Sequence, residues 1–356
     1  MQRKSIHRKQ FTTAGGRDFQ VSYFTVAGTR PGPILTIIAG QHGMEHSGPN
    51  LLPELIDELA ETDFAGIVHV CPCANPLALE IDYEFYPEND DLSKIDDYYY
   101  SIFRHYYCPW GYGRGDGETL YNMNRLWNHD GTPGVAGRIA SWLWGEICSD
   151  ANVIIDMHSL QADKPVIFNN REKSVPLARL FGAEAIMMRD PAPNKYRGGN
   201  LSWQGGIKHN QYAFCVEFSC QHGLKESEYE WGKQGIRKVM TGINMLEGEV
   251  VHQHPVWKVL YKNSGQVMCA GKAGHIRYKV RLYDYVRKGD VVYEIRDLET
   301  VELLEQGLAP NDGLVCNISH LPVMKVNDTV CWIADAEKIA SSGEVLDNLP
   351  RDFFEQ

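Results

Sequence analysis

The sequence predicts an α/β fold, a mixed and mostly parallel sheet with helices on both faces, followed by a small all-β unit of the barrel-sandwich type. Three observations predict it. Up to about residue 250, apolar β-branched runs alternate with stretches of helical spacing, as in a sheet whose faces are covered by helices. Beyond about residue 255 the texture changes to short strands and turns. Two segments there, Val286–Ile295 and Val323–Ile333, look alike, which suggests a duplicated turn-strand unit forming a sandwich of two halves. A chain of 356 residues, 43% of them hydrophobic, accommodates one large core and a smaller second unit, and the expected division is 1–252 and 253–356.

Taken in order, Ile34–Ile38 is a buried-strand candidate and Leu51–Ala60 follows with helical spacing. Ile67–Val70 is the next strand, stopped by Pro72 and by Asn75-Pro76. Val135–Ile147 carries apolar residues at helical intervals, and Asn152–Met157 returns to strand. Tyr212–Phe218 is a further strand, and Trp231–Met245 reads as a closing helix. Between them lies Glu80–Glu118, crowded with Tyr, Asp and Gly and too long for an ordinary connection. It reads as a surface excursion with its own short helix, or as a lid. The C-terminal stretch resembles biotinyl/lipoyl carrier domains. Those domains carry a modified Lys at the hairpin between their halves, and no Lys occurs from Gly289 through Met324. A packing or oligomerisation module is therefore expected there rather than a carrier.

Composition excludes several partners. Lys plus Arg number 35 against 46 Asp plus Glu, a net charge of -11, so no electrostatic footprint for nucleic acid or an anionic membrane is present. No window approaches the roughly 20 apolar residues of a membrane-spanning helix, and Met1–Gln10 has basic residues without an apolar run behind them. The nine cysteines lack paired CxxC elements, which fits buried free thiols in a reducing compartment. A cytoplasmic protein acting on a small molecule or peptide is expected, with self-association left open.

The chemistry-bearing residues sit at the ends of predicted strands. His42 and Glu45, in Gly40-Gln-His-Gly-Met-Glu45, follow the strand ending at Ala39, where open α/β sheets bind ligands. A short turn folds an imidazole and a carboxylate three residues apart to one side, where both reach a Zn²⁺ ion. HxxE alone is common by chance, so a third ligand is needed. His158 offers it, ending the run Val153–Ser159 on the same sheet edge, with Asp156 on the same face as a support. A lone histidine there would ordinarily be a hydrogen-bonded core residue; its strand-end position beside HxxE favours a ligand.

Glu217 is an acid inside an apolar strand. Burying it unpaired would cost several kcal/mol, so it has either an ion-pair partner or a catalytic task. Arg125 offers a planar fork for a carboxylate, with Asn124 as a neutral donor, although an isolated Arg more often makes a surface salt bridge. Arg114, in the Gly-rich run Gly111–Gly117, is placed to reach an oxyanion.

HxxE, the strand-end Asp-x-His-Ser, Asn-x-Asn-Arg and a strand-borne Glu, in that order, resemble the succinylglutamate desuccinylase/aspartoacylase family of the zinc carboxypeptidase clan. The resemblance covers roughly the first 225 residues. It implies that His42, Glu45 and His158 hold one Zn²⁺ per chain, that Glu217 activates water and protonates the leaving amine, and that Asn124 and Arg125 grip a substrate carboxylate. Asn75-Pro76 matches an Asn-Pro element of the family, and a small C-terminal β domain is usual in it. Two departures stand out: Asn122 replaces an acid before the Asn-Arg pair, and the Glu80–Glu118 excursion has no counterpart.

The expected function is thus a zinc-dependent hydrolase cleaving the amide bond of an N-acyl amino acid or similar carboxylate-bearing amide. Three rivals are a zinc carboxypeptidase acting on peptides, a non-catalytic zinc-binding scaffold, and a metallopeptidase of the HxxEH type. The last follows because His42-Gly-Met-Glu-His46 spells that signature, but it needs a continuous helix that Gly40, Gly43, Gly48 and Pro49 disfavour.

Overall fold

The computed structural model describes residues 3–43, 45–79, 123–127, 134–160, 162–189, 199–220, 225–260, 265–319, 321–350 and 353–354. The excursion at 80–118, with Arg114, and Asn122 lie outside them.

Among the described residues, eight strands precede residue 220: β1 (Lys4–Thr12), β2 (Asp18–Ala27), β3 (Arg30–Ile38), β4 (Ala65–Cys71), β5 (Val153–Ser159), β6 (Val166–Asn169), β7 (Ala185–Met188) and β8 (Tyr212–Phe218). The helices of seven or more residues among the described residues are α1 (Ser47–Glu61), α2 (Gly134–Leu143, continued by a wider turn through Cys148), α3 (Val175–Phe181) and α4 (Glu226–Gly242). Later strands are β9 (Val250–Val251), β10 (Val256–Leu260), β11 (Gln266–Cys269), β12 (Gly274–Tyr278), β13 (Tyr285–Val286), β14 (Val291–Arg296), β15 (Leu303–Leu308), β16 (Gly313–Ile318), β17 (Val323–Met324), β18 (Thr329–Ala334), β19 (Ala336–Ala340) and β20 (Val345–Leu346).

The main sheet has ten strands in the order β1-β2-β4-β3-β5-β8-β6-β7-β10-β19. Its centre, β4-β3-β5-β8, is parallel, as is β6-β7-β10, with β6 running against β8. The expected mixed, mostly parallel sheet is therefore present. The sequence reading missed β1 and β2, whose outward residues are polar and leave too little apolar signal, and β6 and β7, which are only four residues each.

Side-chain alternation gives the sheet two different faces. Leu35, Ile37, Val153, Ile155, Met157, Phe214 and Val216 point to one, where they form a single buried core with Leu51, Leu55, Ile236 and Val239 of α1 and α4. On the other face, Ile38, Ile154 and Ala213 pack beneath Ile139 and Leu143 of α2. Further along this second face, Val166, Ala185, Met187 and Val259 are covered instead by Leu282, Tyr283, Leu314 and Ala334 from the C-terminal part. Between the two covers, the second-face residues of β5 and β8 are Asp156, His158, Cys215 and Glu217.

The C-terminal part contains two four-stranded sheets, β11-β18-β16-β13 and β15-β14-β12-β17, around a core that includes Val292, Ile295, Val330 and Ile333. Its halves repeat down to the hydrogen bonds. Asp290 Oδ2 accepts from Arg287 N and Asp328 Oδ2 from Lys325 N, both at 2.8 Å. The main sheet does not stop at residue 252, because β10 pairs with β7 and β19 with β10.

Candidate metal centre and active site

Backbone geometry at the end of β3 places the first two side chains. Gly40 has φ +67°, and a Cβ there would lie 2.9 Å from both Cys73 Cα and Pro72 O, so the chain turns where only glycine fits. That close approach lets Ala74 N donate to Ala39 O and Asn75 N to Gly40 O, at 2.9 and 2.8 Å. Glu45 N then donates to His42 O at 3.3 Å, closing a turn that folds His42 and Glu45 to one side. Helix α1 begins only at Ser47, with His46 as its N-cap. The single helix required by an HxxEH site is thus absent, and His46 is not among the clustered ligand atoms described next.

His158 reaches the same point from β5. One ligand atom from each of His42, Glu45 and His158 lies within 4.8 Å of the other two, and all three residues are buried. The two imidazole rings are 5.1 Å apart between centroids and tilted by 42°. His158 Nδ1 faces this cluster, 2.8 Å from Glu45 Oε2, while its Nε2–H donates to Asp156 Oδ1 at 2.9 Å. Burial alone would discharge this ring, but Asp156 and Glu45 outweigh it and hold its pKa well above the ordinary value.

Asp156 is itself gripped on every side. Gln41 Nε2 donates to its Oδ1 at 2.6 Å and Ser202 N to its Oδ2 at 3.2 Å. Gln41 in turn accepts from Trp127 Nε1 at 2.7 Å through its side-chain oxygen and from Asn75 Nδ2 at 3.2 Å through its backbone oxygen. The sequence reading missed Gln41 and Trp127. A Gln between Gly40 and His42 carries no signal of its own, since its partners come from positions as distant as 127 and 156.

Trp127 also anchors the turn that carries Asn124 and Arg125. Asn124 and Arg125 lie in a single 3-10 turn, Met123–Arg125, whose neighbours Met123, Leu126 and Trp127 are buried against the second face of the sheet. Asn124 is buried there, and the Arg125 side chain lies outside the described residues.

Glu217 stands next to His158 in the β5/β8 ladder and is 2% exposed. Cys215 Sγ donates to its Oε1 at 3.6 Å, and Oε2 has no hydrogen-bond partner among the described residues. Burial raises the Glu217 pKa to about 7, aided by Glu45 and opposed by His158 and Arg189. Burial also pushes the carboxyl of Glu45 upward, and Glu45 Oε1 accepts no hydrogen bond among the described residues. Three carboxylates, Glu45, Asp156 and Glu217, thus crowd a buried site beside His42, His158 and Arg189. A buried His-Glu-His set with an unsatisfied carboxylate oxygen suits a divalent cation, and the residues therefore fit Zn²⁺. Burial raises the pKa of Cys215 well above the ordinary value, which favours the neutral thiol.

A profile of the succinylglutamate desuccinylase/aspartoacylase catalytic domain matches residues 31–243, more than half of the chain. The chain belongs to the succinylglutamate desuccinylase/aspartoacylase family. Both namesakes are deacylases, which places it among hydrolases. The matched span holds β3, β5 and β8, and with them all of the clustered side chains.

Solved structures agree on the fold over nearly the whole length. A protein of this family from Shewanella amazonensis is 16% identical, with TM-score 0.66, covering 94% of this chain and 100% of its own. An aspartoacylase family protein from Mesorhizobium loti is 19% identical, with TM-score 0.62 and coverage of 94% and 95%. The product-bound ectoine utilization protein EutE from Ruegeria pomeroyi is 17% identical, with TM-score 0.60 and coverage of 93% and 95%. No curated protein sequence matches the chain significantly.

Proposed function

We propose that this member of the family is a zinc-dependent deacylase, hydrolysing the amide bond of an N-acyl amino acid or a similar small amide that bears a carboxylate. The observation that carries the reading is the convergence of His42, Glu45 and His158 within 4.8 Å, beside a buried Glu217 that has an oxygen to spare.

Bound at these three side chains, Zn²⁺ supplies Lewis acidity and makes nearby water acidic, towards a pKa of roughly 7. Asn124 and Arg125 hold the substrate carboxylate and so fix the amide over the cluster. Glu217, with its pKa raised by burial to about 7, accepts the proton of the attacking water and passes it to the leaving nitrogen. The C–N bond breaks, hydroxyl oxygen ends on the acyl carbon, and the amine leaves protonated. Arg114 shares the negative charge that develops on the carbonyl oxygen. Asp156 and Gln41 keep His158 in the orientation that presents Nδ1 to the metal.

The division of labour we assign is a catalytic unit at 1–252 and a supporting β unit at 253–356. The eight cysteines of the described residues are all free, which favours the cytoplasm, and no helix among those residues is long and apolar enough to cross a membrane.

The test is elemental analysis of the purified protein followed by a hydrolysis screen on N-acetyl, N-succinyl and peptidyl amino acids. One zinc per chain and release of free amino acid from N-acyl substrates are expected. In Glu217→Gln, zinc content and substrate binding should persist while kcat falls on the order of 10² to 10⁴. A near-normal kcat in that variant removes Glu217 from the chemistry, and turnover confined to amides without a carboxylate removes the Asn124–Arg125 clamp.

A further inference from the structure

A cavity of about 370 Å³ lies between the main sheet and the C-terminal part, and no role has yet been given to it. Its floor is Val166, Phe168 and Met187 on β6 and β7; its roof includes Tyr283, Ile318 and Trp332. The floor is continuous with the catalytic row. In the ladders, Val166 stands opposite Glu217, Phe168 opposite Cys215, and Met187 beside Phe168, so these side chains share the second face of the sheet with His158 and Glu217. Leu160, also in the wall, is two residues from His158.

The order across that face gives the cavity a direction. The Asn124–Arg125 turn is tied to the β3 side through Trp127 and Gln41. His158 and Glu217 come next, on β5 and β8, and the cavity follows on β6 and β7. An amide held by its carboxylate at the first position and split at the second extends its acyl part towards the third. At the near edge, the Arg189 guanidinium stacks 3.7 Å above the Phe168 ring. Beyond it the lining among the described residues is mostly aliphatic and aromatic and includes no Lys, Arg or His to pair with an anion.

We propose that this cavity receives the acyl group of the substrate, and that this group is uncharged, apolar and larger than acetyl. The proposal rests on the deacylase reading above and adds the substrate class to it.

The experiment measures kcat/KM of the zinc-loaded full chain on the common amino acids, each acylated with acetyl, succinyl or octanoyl. For the preferred amino acid, octanoyl should exceed both acetyl and succinyl by on the order of 10-fold or more, since a few methylenes in an apolar pocket discriminate to that extent. Ala162→Phe and Cys316→Phe, which fill the cavity from opposite walls, should each lower octanoyl turnover about 10-fold while acetyl turnover stays within about 3-fold. No hydrolysis of any derivative overturns the deacylase reading and this proposal with it. Hydrolysis that favours acetyl or succinyl, or an octanoyl preference that survives both fillings, leaves the deacylase reading standing and overturns the cavity assignment alone.

Discussion

Asp156 touches no substrate in the proposed reaction, yet the geometry of the centre converges on it. Its two oxygens take hydrogen bonds from His158, Gln41 and Ser202, and this fixes which nitrogen of His158 faces the cluster. Groups that orient a metal-bound imidazole typically change affinity 10- to 100-fold when removed. Asp156→Asn keeps the shape and removes the charge, so zinc affinity should fall by about that factor in a competition titration against a chromophoric chelator. Unchanged affinity would mean that His158 is oriented by packing alone.

At the scale of the element, the turn from β3 to α1 is the most constrained part of the site. His42 and Glu45 are set by a backbone that passes against Pro72 and Cys73 at Gly40. Gly40→Ala combines a positive φ with a backbone clash, and should destabilise the protein by ~1–3 kcal/mol in urea unfolding. The chelator titration should also show weaker zinc binding in that variant, because His42 is only two residues on. A variant with an unshifted urea midpoint would show that the turn relaxes at no cost. The helix that follows was legible from its spacing, but the sequence placed its start at Leu51 and the structure places it at Ser47, with Pro49 in its first turn, where a proline is tolerated.

For the whole molecule, the second face of the sheet is covered from two sides, by α2 and by the C-terminal part, and the candidate site is the interval left between them. The two proposed units are consequently not independent bodies. A chain ending at residue 252 would lose β10 and β19, expose the edge of β7 and uncover Ala185 and Met187. It should lose cooperative unfolding and elute as aggregate in size-exclusion chromatography. A monomeric fragment with a single sharp transition would contradict this. The sequence by itself determined the α/β class, the duplicated β unit, and the four residues His42, Glu45, His158 and Glu217 that the structure brings together, because strand-end His and Glu beside apolar runs are local signals. Only the tertiary structure decided that Gln41 and Trp127 belong with Asp156 and that Val166 stands opposite Glu217. It also decided that a cavity adjoins the row that holds His158 and Glu217. Those relations join positions tens to hundreds of residues apart, and they arise from strand order and register, which no local pattern of side chains specifies.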